Sequence, residues 1–174
     1  MIYNVAQLLK APVGTAMRVE LDPADHLDLG EEHVRLAGDA LGTVRLHRTN
    51  QGILADGMVA VPVELTCDRC LELYATTLSV PLREQFYPTV DILTGVALPL
   101  PEDELVFLID HNHLLDLREA IRQLVLLALP MQTLCREDCA GLCPQCGHNL
   151  NEGPCGCEPD TTDDRFAALR ALLD

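Results

Sequence analysis

The stretch Cys135–Cys157, "CREDCAGLCPQCGHNLNEGPCGC", holds six of the chain's eight cysteines within twenty-three residues. A segment this short and polar has almost no core of its own, so cross-links or an ion must hold it. The compartment decides between them. The chain begins "MIYNVAQLLKAPVGTA", with no basic start ahead of an apolar run, and reads as lacking a secretory signal. Its longest apolar run, "LVLLALPM", is interrupted by Pro130 and is far short of a membrane span. The expected location is cytoplasmic. Thiols stay reduced there, so tight cysteine spacing points to metal before disulfides.

"CPQCG" at 143–147 is the strongest single signal. A Cys-Pro-x-Cys-Gly turn presents two thiolates to one ion, and Gly147 supplies the positive φ that such a knuckle needs. Cys143 and Cys146 are therefore the first ligands of one structural zinc. Two more come from Cys135, Cys139, Cys155 and Cys157, because a closed site takes four thiolates and six exceed the need of one ion. His148, next to the knuckle glycine, is a weaker alternative ligand. An iron–sulfur cluster or redox thiols could use the same residues, but the knuckle suits a single ion better.

Cys67 and Cys70 lie apart from this cluster, in "VELTCDRCLEL", between two alternating runs. They are read first as two reduced thiols at a hairpin turn. A second metal half-site or a surface contact comes next, and redox chemistry last. A redox pair would prefer a helix start, where the dipole lowers the thiol pKa, and "LELYATTL" does not look helical.

Upstream of the tail, the period is close to two. "TAMRVELD" offers Ala16, Val19 and Leu21 as inward residues. From 33 to 87 the alternation continues through Leu41, Thr43, Val59, Val61, Val63, Leu65, Leu78, Val80, Leu82 and Phe86. Turn signals fall at 49–52 and 67–70. The pattern predicts an antiparallel meander with one buried face. Pro62 and Pro81 suit edges or bulges. The acidic stretch 22–32 and the Pro-rich, acidic stretch 88–104 read as exposed loops, followed by a short strand "LVFLID". Asp116 and Glu119 form a capping box for a Leu-rich helix ending before Pro130 and lying on the apolar face of the sheet. The predicted fold class is α+β: an antiparallel, partly closed barrel-like sheet packed by one helix (residues 1–131), then a cysteine-rich zinc-binding tail with a short terminal helix (132–174).

The formal net charge is −15, with one lysine and eleven arginines. Such a chain repels phosphate backbones at long range, and a basic protein partner fits it better. His111 and His113, in "DHNH", are weak candidates for ligands or acid–base groups. No nucleophile elbow, phosphate loop or zincin helix is present, and the chain does not read as an enzyme.

Four motifs together resemble one family. They are "CDRC" (67–70), "LREAIRQLVLLALP" (117–130), the cysteine tail (135–157) and "DDRFAALRALL" (163–173). They are similar to the YceD family, the large ribosomal RNA subunit accumulation proteins. Asp164 stands where that family usually has proline. The resemblance implies a non-enzymatic role in accumulation of large-subunit ribosomal RNA and hence in ribosome assembly. It also places the CxRC region and the helix on the shared functional surface. Three versions follow. The first acts through a basic ribosomal protein or a large-subunit assembly intermediate. The second binds precursor rRNA directly, with Arg35, Arg45 and Arg48 as the contacts, although stacking aromatics are nearly absent. The third is a thiol oxidoreductase using Cys67 and Cys70. No membrane or small-molecule partner is expected.

Overall fold

The computed structural model describes residues 1–22, 27–30, 34–101 and 106–157. Its frame is a hairpin of two long strands, β5 (Ile53–Thr66) and β6 (Leu73–Pro88). At 14 and 16 residues, both exceed the usual strand length of about 3–10. Strict alternation explains their persistence. Val59, Val61 and Val63 are fully buried, as are Val80, Leu82 and Phe86 on the facing strand. Their neighbours point outward, so a one-residue slip would expose the whole set.

The remaining strands build out from this hairpin. On one side, β4 (Leu41–Arg48) pairs antiparallel with β5, and β2 (Ala16–Glu20) with β4. β3 (Val34–Leu36) pairs with the far end of β5. On the other side, β7 (Phe107–Ile109) runs parallel to the end of β6. β8 (Leu114–Asp116) pairs with β7 and with β1 (Ile2–Asn4). The order is β1-β8-β7-β6-β5-β4-β2, a mostly antiparallel sheet curled into a half-barrel. Among the described residues two helices accompany it, α1 (Ala6–Lys10) and α2 (Arg118–Ala128). α2 buries Ala120, Ile121 and Val125 in the core, and Leu124 packs against it.

The prolines sit where a missing donor costs little. Pro62 falls between the segments of β5 that pair with β4 and with β3. Pro81 lies on β6 before its pairing with β7 begins at Phe86.

Several expectations change in detail. Ala16 is exposed, and the inward residues of β2 are Met17 and Val19. Leu41 and Thr43 also face outward; Val44 and Leu46 are the buried pair of β4. In the stretch 22–32, Leu27 and Leu29 are buried, so the described part is not a wholly exposed loop. "DHNH" is the tight turn joining β7 to β8, a strand absent from the sequence reading. Asp116 ends β8 one residue before the cap position: its carboxylate still accepts the Arg118 N–H at the start of α2 and pairs with the Arg118 guanidinium, while Glu119 binds Arg122 and Gln123 and closes no capping box. Leu117 takes the cap position, and no side-chain cap is made there. Most of the acidic stretches 22–32 and 102–104, and the helix expected at 163–173 with Phe166 and Leu169, lie outside the described residues.

Aromatics make up only 3% of the chain, so each one carries weight. Phe86 is 1% exposed, and its ring sits 5.3 Å from that of Phe107. Phe86→Ala should destabilise the fold by roughly 3–5 kcal/mol, read as a lower urea midpoint. Phe107→Ala, at a half-buried ring, should cost less in the same titration.

Candidate metal centres

The structure gathers all eight cysteines into two quartets. Cys67, Cys70, Cys135 and Cys139 form one; Cys143, Cys146, Cys155 and Cys157 form the other. Within each, the four sulfurs lie within 4.8 Å of one another. The sequence reading expected a single ion held by tail cysteines alone. Instead the six tail cysteines divide, and the first pair joins the turn between β5 and β6.

The distances decide what such a quartet can be. Cys67 Sγ lies 3.8 Å from Cys139 Sγ, and Cys70 Sγ 3.7 Å from Cys135 Sγ. A disulfide needs about 2.05 Å. Four sulfurs at about 2.3 Å from one ion form a tetrahedron with edges of about 3.8 Å. The observed separations fit that tetrahedron. A cluster spreads its cysteines over several irons and needs them farther apart. All-thiolate donor sets select soft or borderline ions such as zinc, and neither quartet keeps an open position for substrate.

Two turns of the same construction open the quartets. In Cys143–Gly147 the Gly147 N–H donates to Cys143 O at 2.9 Å, and the Cys143 N–H donates to His148 O at 2.8 Å. In Cys67–Leu71 the Leu71 N–H donates to Cys67 O at 2.9 Å, and the Cys67 N–H to Glu72 O at 2.9 Å. Both fifth residues are left-handed, Gly147 at φ 74° and Leu71 at φ 61°. "CDRCLE" thus has the backbone of the "CPQCG" turn, with leucine where the glycine would stand. The leucine hides the motif from a sequence reading that looks for Cys-x-x-Cys-Gly. It also costs backbone strain of about 1–2 kcal/mol, which the surrounding contacts must offset.

Those contacts are extensive. The Asp68 N–H donates to Thr133 O at 2.8 Å, and the Asp68 carboxylate accepts the Thr133 N–H at 2.6 Å. The Thr133 hydroxyl donates to Thr66 O. The Arg69 guanidinium donates to Cys139 O at 3.0 Å, and Arg69 O accepts the Leu142 N–H. Gly141 is obligatory, at φ 75° and with room for a Cβ only 3.1 Å from Arg69 O. Tyr74 and Leu134 cover the first quartet. The Asn151 amide donates to Cys139 Sγ at 3.4 Å and its carbonyl accepts the Ala140 N–H, which links the second half of the tail to the first quartet.

The thiol electrostatics suit a cation. Burial would raise the Cys67 pKa, but N–H groups of Cys135, Cys70 and Arg69 aimed at its sulfur bring it down to about 6. N–H groups of Cys146 and Gln145 hold Cys143 at about 6 as well. Burial, then the neighbouring Cys139 sulfur, pushes Cys135 up to about 12. The Cys146 and Cys155 sulfurs do the same to Cys157. Four adjacent thiols can ionise together only when a cation neutralises them, so loading releases protons.

Other expected site residues fall elsewhere. His148 offers its carbonyl to Cys143, not its ring to a quartet. His111 is exposed, and His113 is a half-buried turn residue at φ 61°. Neither belongs to a metal group among the described residues. Arg48 points its guanidinium at the carbonyls of Leu9, Thr49 and Gly52, so it closes a turn and is not a free contact. Arg35 lies opposite Glu64, eight residues along β5 from Asp56, the partner of Arg45. That is about 27 Å of strand, so the expected arginine trio does not form. Arg45 has other neighbours, Arg18 and, beyond Asp56, Arg83. They come from strands far apart in sequence, and only the register shows the grouping.

Comparison with known proteins follows the same residues. A family model described as "Large ribosomal RNA subunit accumulation protein YceD" matches residues 55–173. An uncharacterized protein of Mycobacterium tuberculosis is 37% identical over 131 residues, covering 75% of this chain and 60% of its own length. One from Mycobacterium leprae is 30% identical over 131 residues, covering 75% and 57%. An Arabidopsis thaliana protein named large ribosomal RNA subunit accumulation protein YCED homolog 1, chloroplastic, is 25% identical over 153 residues, covering 76% and 48%. The chain thus spans about half to three fifths of the length of these relatives. No solved structure matches it. The family match begins inside β5, takes in both knuckles and both quartets, and runs to within one residue of the end; the chain belongs to the YceD family of large ribosomal RNA subunit accumulation proteins.

Proposed function

We propose that this chain is a non-enzymatic ribosome-assembly factor, needed for accumulation of large-subunit ribosomal RNA, and that both quartets hold structural zinc. The family match over residues 55–173 carries the first part. The 3.7–3.8 Å sulfur spacing in the first quartet and the closed all-thiol donor sets of both support the second. A net charge of −15 favours a basic ribosomal protein, or an intermediate presenting one, as the direct partner. No helix among the described residues is long and apolar enough to cross a membrane; the proposed place of action is the cytoplasm. A thiol oxidoreductase using Cys67 and Cys70 is the less favoured reading, because both sulfurs sit in a quartet with Cys135 and Cys139.

Zinc gives the tail folding energy that its own core cannot supply, on the order of 10 kcal/mol per structural ion. The first ion would join the β5–β6 turn to the tail, and the second would close the tail on itself. Elemental analysis of reduced, purified protein should therefore find two zinc ions per chain. Cys70→Ser and Cys146→Ser should each leave one. Cys70→Ser should lower the melting temperature more, because its quartet links segments 65 residues apart. One ion in the wild type, or iron with a visible charge-transfer band, would contradict this.

The functional reading is tested in cells. Depleting the protein should lower the ratio of large- to small-subunit rRNA, and restoring the wild-type chain should recover it. An unchanged ratio refutes the assignment. Affinity capture with and without nuclease then separates partners. Ribosomal protein retained after nuclease indicates direct protein contact, and its loss indicates an RNA bridge.

A further inference from the structure

The outer face of the sheet carries a row that runs across four strands. Arg18 on β2 is paired in register with Arg45 on β4, Arg45 with Asp56 on β5, and Asp56 with Arg83 on β6. All four residues are exposed. With strands about 4.8 Å apart, the row is about 14 Å long. It lines an open groove whose wall includes Met58 and Pro81. His47 stands two residues beyond Arg45, beside Asp56 and Arg83. Glu20 flanks Arg18 on β2.

Two features separate this row from an ordinary solvated face. Like charges directly opposite on neighbouring strands repel, and Arg18 faces Arg45. The fold gains nothing from that pairing; an acidic residue at either position would relieve it. Moreover, among the described residues no ion pair within 4.0 Å joins any of the three guanidinium groups to a carboxylate. Three unpaired cations around one carboxylate, in a chain of net charge −15, form a local site for a polyanion. Planar guanidinium forks match phosphate oxygens and stack on bases, and Met58 offers an exposed apolar contact. Aromatic side chains are absent from the row, so binding would follow the backbone and not the sequence.

We propose that the Arg18–Arg45–Arg83 row is a phosphate-contact surface for RNA. The choice of RNA as the polyanion rests on the proposed role in rRNA accumulation. The acidic remainder of the molecule repels RNA at long range, so the contact is weak alone and acts on RNA already brought near within an assembly intermediate.

Fluorescence anisotropy with the zinc-loaded full chain tests this directly. The probes are a labelled mixed-sequence RNA of about 20 nucleotides, single-stranded and as its duplex, starting at about 20 mM salt. The wild type should bind at least one form, with affinity falling steeply as salt rises. R45Q/R83Q should weaken binding about tenfold or more, and for single strands should lower the log–log salt slope by about 1.4. Arg35→Gln should change neither. Asp56→Asn should tighten binding several-fold, a gain that misfolding cannot mimic. The proposal is overturned if the wild type binds neither RNA at low salt. It is overturned equally if R45Q/R83Q binds as the wild type does, or if D56N fails to tighten. Displacement of RNA by poly-glutamate as readily as by unlabelled RNA would assign the row to an acidic protein instead. The purified chain suffices for this titration, so its failure leaves the depletion result in cells untouched, and the reverse holds too.

Discussion

Four sulfurs can share one ion only if the chain brings them to the corners of a tetrahedron, and the gathering of four cysteine sulfurs within 4.8 Å of one another organises one end of this molecule. Two corners come from the turn between β5 and β6, and two from a tail some 65 residues later. The cost of closing so long a loop must be met before any sulfur meets its partner. The sheet meets most of it. Fourteen registered pairs hold β5 against β6, which fixes the turn, and α2 returns the chain to the same end. An ion would then have only a short segment left to order. This division explains why the turn tolerates Leu71 at φ 61°: the Asp68–Thr133 and Arg69–Cys139 hydrogen bonds hold its conformation.

Much of the sheet was legible in the sequence because its signal is local. The run Val59–Leu65 alternates without a fault, and every inward residue predicted there is buried. The errors share a cause as well. Ala16 is out of phase with Val19 and Leu21, and Leu41 and Thr43 are out of phase with Val44 and Leu46, so residue type alone does not show which face they take. β8 was missed because three residues cannot display a period, and only β1 and β7 make them a strand. Leu27 and Leu29 show the opposite failure: an acidic, turn-rich stretch hid two core residues.

The candidate sites were legible only where ligands are close neighbours in sequence. The Cys143 knuckle was plain from its glycine. The Cys67 knuckle was not, since leucine in the left-handed position removes the signature while keeping the same two hydrogen bonds. That six tail cysteines are too many for one zinc was evident. Where the surplus pair went was not, because sequence contains no direct record of a contact across some 65 residues. The arginines repeat the lesson. Arg35, Arg45 and Arg48 looked grouped because they are near in sequence, yet register separates the first and carbonyl contacts occupy the third.

The β5–β6 hairpin places the two features apart on one rigid element. Asp56, at the centre of the arginine row, lies eleven residues before Cys67, about 37 Å of extended strand. At that range an ion held by the first quartet and the guanidinium row would be screened from each other by ordinary salt. They are coupled mechanically, through the registered strands, and not electrostatically. The acidic charge of the chain then has a consistent role. It suppresses indiscriminate attraction to phosphate, so on the proposed reading a small basic row on an otherwise repulsive molecule would engage RNA only where another contact has already positioned it. Selectivity of that kind needs neither base readout nor catalysis. It needs a stiff sheet, and the first sulfur quartet sits at the turn of its longest hairpin.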